Sequence, residues 1–563
     1  MRKEWKCYHA NKEEVEQLEK QYHLTKLVSS ILVNRNIKKE KQIKKFLAPT
    51  RHDFYDPFLM PDMEKAVERI LKAIQHNEKM LIYGDYDVDG ITSITVLKKF
   101  FKDREISIDY YIPNRIEEGY GLNKEAIKHI AKNGYQLIIT VDCGITSVEE
   151  VALANDLGVK IVITDHHEVP EELPEAIAVV DAKRKDSIYP FNQLAGVGVA
   201  FKLIQALSKK MDLPEKEYLK YLDIVCIGTI SDIVPLVDEN RVITKLGLKL
   251  VEQTKNVGLQ ELLKICAYSK VDSNTISFGI APRINACGRL ADAKTALELF
   301  LTEDEEKAKA IATQLNIYNQ QRQEMEKNIY DEAVEKLEEE KNTKNILVLA
   351  KEGWHHGVIG IVASKITEKY FKPSILICIE GKEAKGSGRS IPGFNLHEAL
   401  TKNSLYLEKF GGHAMAVGVT LKTENFPKFK KELQEYGQNS HICDIIPIIY
   451  IDEEITFKDI SIETVAQLDL LQPFGEANKE PIFACRNVKI QSIRTLSEGK
   501  HIKLTLKDDN FYLDVVGFQM GNLAEEFKLG DKVDVVGTLE INEFNGAKKV
   551  QMRLIDMILA ITK

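Results

Sequence analysis

The 563-residue sequence predicts an α/β architecture: a parallel-sheet domain, a long connector helix, a second α/β domain and a C-terminal β-barrel. Three observations predict it. Between residues 76 and 302, short apolar runs alternate with helical segments, the pattern of a parallel sheet covered on both faces. Residues 303–341 hold neither Gly nor Pro and space Ala, Leu, Ile and Met at helical intervals among Glu, Lys and Gln, which makes one long exposed helix. Residues 447–563 switch to short alternating strands, among them His501–Leu506, Tyr512–Phe518, Lys532–Leu539 and Lys549–Ile555.

Composition narrows the class. The chain is too long for one core and divides into roughly three or four domains. With 44% hydrophobic and 29% charged residues it is not a disordered chain. No apolar run approaches the roughly 20 residues of a membrane span, and the first residues carry no secretory signal, so a cytoplasmic protein is expected. Eight scattered cysteines give neither a disulfide framework nor a zinc ribbon. A net charge of −8 excludes a uniformly basic nucleic-acid binder, so any such binding must use a local groove.

Residues 1–75 read as an N-terminal helical segment. Its basic stretch Arg35–Lys45 is either a phosphate contact or a solvated helix face. Phe54–Asp62 connects it to a helix starting near Met63, which leads to the first core strand.

That strand, Met80–Tyr83, delivers Asp85, Asp87 and Asp89 at its carboxyl end, where open α/β sheets place their sites. Asp142 follows a second run, Leu137–Val141; Asp165, His166 and His167 follow a third, Lys160–Thr164; Asp232 follows the apolar stretch Tyr221–Ile230. Helix capping explains one or two acids in such places, but not all four clusters. Carboxylates with one or two imidazoles suit two Mn²⁺ or Mg²⁺ ions, which together support in-line attack of hydroxide on phosphorus. Gly84 and Gly90 flank the first acids, but no Gly-Lys-Ser/Thr phosphate cradle lies near, so metal and water suffice for hydrolysis. Cys143 reads as a small buried residue rather than a nucleophile.

Further along, Arg115 offers a planar fork to a phosphate and Tyr120 a stacking face, or else a surface ion pair and a loop aromatic. Leu194–Phe201 is a helix entered through small residues and reads as close packing. Arg283 and Arg289 sit among small and apolar residues and need anionic partners, from a substrate or from a core carboxylate. Asn316, Asn319 and Arg322 of the connector line either a channel or a solvated face. In the second α/β domain, strands Ile346–Leu349 and Ser374–Cys378 flank a helix over Val358–Phe371. The pair His355-His356 precedes that helix without supporting acids and reads as substrate contact or helix capping. The C-terminal strands fit an OB-fold. There Phe474, Phe483, Tyr512, Phe518 and Phe544 are either stacking surfaces or core.

The segments Gly84–Gly90, Val141–Gly144 and Thr164–His167 resemble the successive motifs of the DHH phosphoesterases, and Gly228–Leu236 is similar to their next motif. The resemblance covers nearly the whole chain and is to the single-strand-specific exonuclease branch of that superfamily; Leu471–Asn478 is similar to its junction before the barrel. It implies a DHH catalytic domain at 76–302, a connector at 303–341, a substrate-binding DHHA1 domain at 342–440 and an OB-fold at 447–563. It further implies 5′-to-3′ degradation of single-stranded DNA to mononucleotides, in repair and recombination, with two Mn²⁺ or Mg²⁺ ions. By the resemblance, Asp142 bridges the ions, and Asp87, Asp89, His166 and Asp232 complete the ligands; Asp85 is a ligand or supports one. His167 contacts the scissile phosphate and Asp165 orients a histidine. Arg115, Tyr120, Arg283, Arg289, Ser387, Arg389 and His413 are the implied substrate contacts, with Arg115, Arg283, Ser387 and Arg389 recognising the 5′ end. One departure is Tyr83, at a position where some DHH enzymes carry a histidine; Asp85 then takes that role. A monomer is expected, with a helicase and a single-strand-binding protein as the partners to consider. The rivals are a phosphodiesterase of short or cyclic oligonucleotides, which the barrel disfavours, and an inactive single-strand-binding scaffold, which the intact acids disfavour.

Overall fold

The computed structural model describes residues 3–115, 117–268, 270–341, 344–440, 442–544 and 546–560. The catalytic sheet runs Asp109–Tyr111, Met80–Gly84, Leu137–Val141, Lys160–Thr164, Ala178–Val180, every neighbour parallel. Its strands are uninterrupted aliphatic runs because both faces are covered. Alternate residues part to opposite sides: Ile82, Leu137 and Ile139 pack under helices Met63–Gln75, Val88–Lys102 and Gly196–Lys210, while Tyr83, Ile138 and Ile163 pack under Lys124–Lys132 and Val148–Asp156. Register then sets the site. Gly84 pairs with Val141 and Val141 with Thr164, so Asp85, Asp142 and Asp165 leave the sheet side by side.

The apolar stretch Tyr221–Ile230 forms a helix, Leu222–Ser231, buried against Val88–Lys102 and Gly196–Lys210. Asp232 is the residue that ends it.

The connector is a single helix, Glu305–Glu339, capped by the Asp304 carboxylate, which accepts from the Lys307 amide at 2.9 Å. At 1.5 Å per residue it spans about 52 Å. It is less exposed than its composition suggests. Ala308, Ala312 and Leu315 belong to the catalytic core, and Ile329, Ala333 and Leu337 to the core of the next domain. That domain carries a five-stranded sheet, Lys409–His413, Ala416–Lys422, Glu383–Arg389, Ser374–Glu380, Leu347–Glu352, parallel only at its last pair.

The barrel closes because Phe483–Leu496 pairs with both His501–Asp508 and Lys532–Phe544. This longest strand escapes sequence reading because bulges at Cys485/Val488 and Ile490/Ser492 break its alternation. The N-terminal helices do not stand apart. Val28, Ile31 and Leu32 share a core with Phe483 and Leu504 of the barrel, and strand Glu4–Cys7 pairs in parallel with Ile448–Ile451. Within the basic stretch, Lys39, Lys41 and Lys44 face solvent. Arg35 and Lys45 do neither of the expected things: Arg35 donates to Asn478 and to the Lys479 carbonyl, and Lys45 pairs with Asp238 at 2.6 Å, joining this segment to the barrel junction and the catalytic domain. Among the described residues no helix is long and apolar enough to cross a membrane.

Candidate metal centre and substrate cleft

Asp87 caps the helix Val88–Lys102, accepting from the amides of Asp89 (2.9 Å) and Gly90 (3.1 Å), and so presents its other carboxylate oxygen outward. Asp142 sits at φ +58°, a left-handed conformation that turns its side chain over the strand end. Asp89 is buried one helical residue further in, and its carboxylate accepts from the amides of Gly196 (2.6 Å) and Val197 (2.7 Å). The small-residue helix entrance read as packing alone therefore holds an acid of the site at a helix N-terminus, where free amides favour an anion. Gly196 is obligatory: a Cβ there would lie 2.6 Å from Asp142 Oδ1.

His166 Nε2 lies 3.1 Å from Asp142 Oδ1, 3.7 Å from Asp232 Oδ2 and 3.8 Å from Asp89 Oδ2. Three ligand groups result, each with its atoms within 4.8 Å: Asp85, Asp87 and Asp142; Asp89, His166 and Asp232; Asp142, His166 and His167. The electrostatics demand a cation. Burial, reinforced by neighbouring carboxylates, pushes Asp85 up to about 8, Asp89 to about 7 and Asp232 to about 9, with Asp142 also well above its ordinary range. Burial and the adjacent His167 drive His166 down to about 3, leaving a neutral imidazole able to ligate. Asp85 Oδ1 and His166 Nε2 are buried without any hydrogen-bond partner. Hard oxygens, a neutral imidazole and orphaned acceptors fit Mn²⁺ or Mg²⁺.

Asp165 does not join these groups. It accepts from the amides of Ile145, His166 and His167, and from His167 Nδ1 at 2.7 Å. Burial alone would lower the His167 pKa, but that bond and the Asp165 charge raise it above the ordinary imidazole value. Tyr120 completes the brace: its hydroxyl donates to the Asp142 carbonyl at 3.0 Å and lies 3.0 Å from His167 Nδ1. Tyr83 points away from the acids, its hydroxyl donating to the Gly121 carbonyl at 3.1 Å. Cys143 is fully buried. Sequence reading missed Asp181, which follows strand Ala178–Val180 just as the other acids follow theirs. It is buried, has one unpartnered oxygen, and is pushed up to about 7 by burial and by the Asp165 charge.

Above the acids lies a cavity of about 350 Å³ bordered by Asp85, Asp87, Asp142, His167 and Asp232. A second, of about 340 Å³, is bordered by His356, Ser387 and Arg389 at the start of helix His356–Tyr370. Arg115 and Arg289 border both, so the two cavities adjoin at these arginines and together form the candidate cleft. Arg389 donates to Ser387 Oγ at 3.0 Å, Arg289 to the Gly357 carbonyl at 2.6 Å, and the Arg115 guanidinium lies 4.8 Å from the Tyr86 ring. Among the described residues none of the three pairs with a carboxylate. Burial and then the charges of Arg115, Arg322 and Arg389 lower Arg289 to about 10, the signature of clustered cations lacking an anion.

Arg283 is not brought to this cleft. It donates to Asn316 Oδ1 (3.0 Å) and to the Gly279 carbonyl (2.6 Å), so it staples the connector to the catalytic domain through uncharged acceptors. His413 lies on the exposed end of the edge strand Lys409–His413, opposite Ala416, and borders neither cavity. His355 caps the Gly357 amide at 3.1 Å, while His356 faces the cleft. On the connector, Arg322 donates to Asn319 at 2.6 Å and borders a larger groove. In the barrel Phe483 is core, Phe474 is half-buried, Tyr512 and Phe518 are exposed, and the Phe544 side chain lies outside the described residues.

Residues 79–229 match the DHH family, N-terminal domain; residues 342–439 match the DHHA1 domain; residues 451–556 match the RecJ OB domain. The chain is 41% identical over 558 residues to the single-stranded-DNA-specific exonuclease RecJ of Bacillus subtilis, covering 98% of this chain and 70% of that protein. It is 33% identical to RecJ of Escherichia coli, covering 89% and 90%. Crystal structures of Thermus thermophilus RecJ superpose with a TM-score of 0.87 in complex with Mn²⁺ (28% identity, 99% of this chain and 80% of that one) and 0.80 in complex with Mg²⁺ (26%, 99% and 79%). With three domains matched in the order in which the fold sets them, and relatives aligned along nearly the whole length, the chain belongs to the RecJ family.

Proposed function

We propose that the protein is a metal-dependent exonuclease that degrades single-stranded DNA from the 5′ end, releases mononucleotides, and serves DNA repair and recombination in the cytoplasm as a monomer. The observation that carries this reading is the adjacency of the acid cavity and the arginine pocket, which share Arg115 and Arg289 as border residues. Arg115, Arg289, Arg389 and Ser387 would hold a terminal phosphate, and the phosphodiester next to it then falls over the acids, so cleavage frees one nucleotide at a time. Asp85 and Asp87 would hold one ion, Asp89, His166 and Asp232 a second, and Asp142 both. Two such ions would supply a hydroxide at neutral pH and neutralise charge on the phosphoryl oxygens. His167, whose pKa Asp165 raises and whose ring Tyr120 braces, would donate to a phosphoryl oxygen as charge builds there. A helicase or a single-strand-binding protein would be the class of partner that supplies an unpaired end.

The test uses 5′-labelled and 3′-labelled single strands and their duplex, with Mn²⁺ or EDTA, beside Asp142→Ala. Metal-dependent release of labelled mononucleotide from the 5′-labelled single strand, lost in Asp142→Ala, is expected. Intact strands alongside hydrolysis of dinucleotides would move the substrate to short oligonucleotides.

A further inference from the structure

A groove of about 1,820 Å³ leads away from the acids, bounded by the catalytic domain, the connector, helix His356–Tyr370 and the barrel. Asn285 and Arg289 border both this groove and the acid cavity, so the groove adjoins the acids. Its walls differ in chemistry. On the catalytic and barrel side stand Ile233, Phe278 and Phe518, exposed by 73%, 70% and 55%. Large apolar side chains left this open on three separate elements of one groove need an occupant.

Two of them sit on unusual backbone. Ile233 follows Asp232 directly and has φ +60°, the only β-branched residue in the left-handed region among the described residues. Such a conformation is costly and persists only where the surroundings impose it. They do so here: the Leu236 amide donates to the Glu476 carbonyl at 2.8 Å and Asn240 donates to the Pro235 carbonyl at 3.0 Å, pinning the segment. Phe278 rides on the π-helical turn Thr275–Ile280, a rare form that pushes a side chain outward. The connector and helix His356–Tyr370 supply the other wall. Five Lys or Arg and three Glu side chains border the groove, an excess of positive charge on a chain whose net charge is −8.

We infer that Ile233 and Phe278 form an apolar rail that takes the bases of an incoming single strand, with Phe518 continuing it onto the barrel, while Lys327 and Lys369 on the opposite wall face its phosphates. The inference rests on the proposed single-strand substrate and adds which way the strand faces. Bases on the rail turn the sugar-phosphate backbone toward the connector, and because Ile233 adjoins Asp232, a seated base fixes the phosphodiester relative to the acids. Base-on-apolar contact tolerates every sequence, since each base has a face to offer.

The test measures binding of 5′-phosphorylated strands in EDTA, so that nothing is cleaved, by the full-length protein and by Ile233→Ala, Phe278→Ala and Phe278→Trp. Each strand carries one abasic residue, moved position by position from the 5′ end. In the unsubstituted protein an abasic residue at one or two positions should weaken binding about five- to tenfold. Each alanine variant should bind the ordinary strand that much more weakly and lose sensitivity at its own position, and Phe278→Trp should restore both. Melting temperatures identify a variant that has merely misfolded. The rail is refuted if the alanine variants bind the ordinary strand normally, or bind weakly yet keep full abasic sensitivity. A protein that degrades only dinucleotides in the preceding assay, yet shows the abasic pattern here, would separate failure of the proposed activity from failure of the rail.

Discussion

Replacing Gly196 with alanine should disable the metal site while leaving the fold standing. The added Cβ would lie 2.6, 2.7 and 2.8 Å from Oδ1, Cβ and Cγ of Asp142, where 3.4 Å begins ordinary contact. Asp142 cannot turn aside easily, because its backbone is already in the left-handed region. The carboxylate and the helix entrance must therefore separate by roughly 0.7 Å, beyond the ~0.5 Å tolerance of a working site. The same movement lengthens the Gly196 amide bond to Asp89, 2.6 Å in the intact protein. Misplacement of about 1 Å costs on the order of 10²-fold in rate, so a loss of that size in strand degradation is expected, with weaker Mn²⁺ binding. Overpacking costs about 1–3 kcal/mol, and alanine in a helix returns up to about 1 kcal/mol over glycine, so the net destabilisation stays near 2 kcal/mol or less. Metal titration calorimetry, melting and degradation of a 5′-labelled strand measure the three quantities. Gly411→Ala, where a Cβ meets nothing within 4 Å, is the control. Unchanged metal affinity and rate in Gly196→Ala would refute the claim that this helix entrance shapes the ligand set.

Two further outcomes follow from the cleft. Arg389→Ala should erase the preference for a 5′-phosphorylated over a 5′-hydroxyl end by about 10- to 100-fold in kcat/KM, the worth of one charged hydrogen bond; an unchanged ratio removes Arg389 from end recognition. The second concerns pH. Asp85, Asp89 and Asp232 have folded values of about 8, 7 and 9, raised above the ~3.9 of an unfolded aspartate. Their contribution to stability is whole below the unfolded value and is lost as pH climbs through the folded ones. The metal-free melting temperature should therefore fall between about pH 6 and pH 9, and Mg²⁺ should raise it more at the upper end. Asp232→Asn should flatten the metal-free slope, and a slope of the same steepness in that variant would contradict the assignment.

Sequence alone shows all four acid clusters: Asp85, Asp142 and Asp165 each follow an aliphatic strand, and parallel register does the rest for those three. Asp232 is visible as an acid but not as the end of a helix, since a short apolar run has no period by which to tell a buried helix from a strand. The amides of Gly196 and Val197 carry no side-chain signature, so a motif whose contribution is its backbone reads as packing. Arg283 has the same local setting as Arg289, and only the position of Asn316 on the connector separates a staple from a cleft residue. Asp181 carries the same signal as the other acids, but after a run, Ala178–Val180, of only three residues. The union of the N-terminal helices with the barrel depends on pairing Glu4–Cys7 with Ile448–Ile451, a contact with no local trace.

The strand preference of such a cleft depends on whether its walls can part. One wall is tied by a helix embedded at both ends, through Leu315 in the catalytic core and Ile329 in the next. The barrel is tied at its junction by Arg241, fully buried, which donates to the carbonyls of Phe46 (2.7 Å), Leu470 (3.3 Å) and Gln472 (2.8 Å). An arginine satisfied by carbonyls of two separate segments, Phe46 and residues 470–473, cannot release either without stranding a buried charge. Burial holds its pKa down to about 9, the cost of keeping a guanidinium there. The groove has Ile233, Phe278 and Phe518 on its catalytic and barrel side and Lys327 and Lys369 on the side of the connector and helix His356–Tyr370. A single strand can present bases to the first and phosphates to the second at once. A duplex cannot, because its bases are paired inward and only phosphates face out on either side. Exclusion of paired DNA therefore needs no moving part, and loosening the junction through Arg241→Gln should admit duplex ends more readily than any change to the acids would.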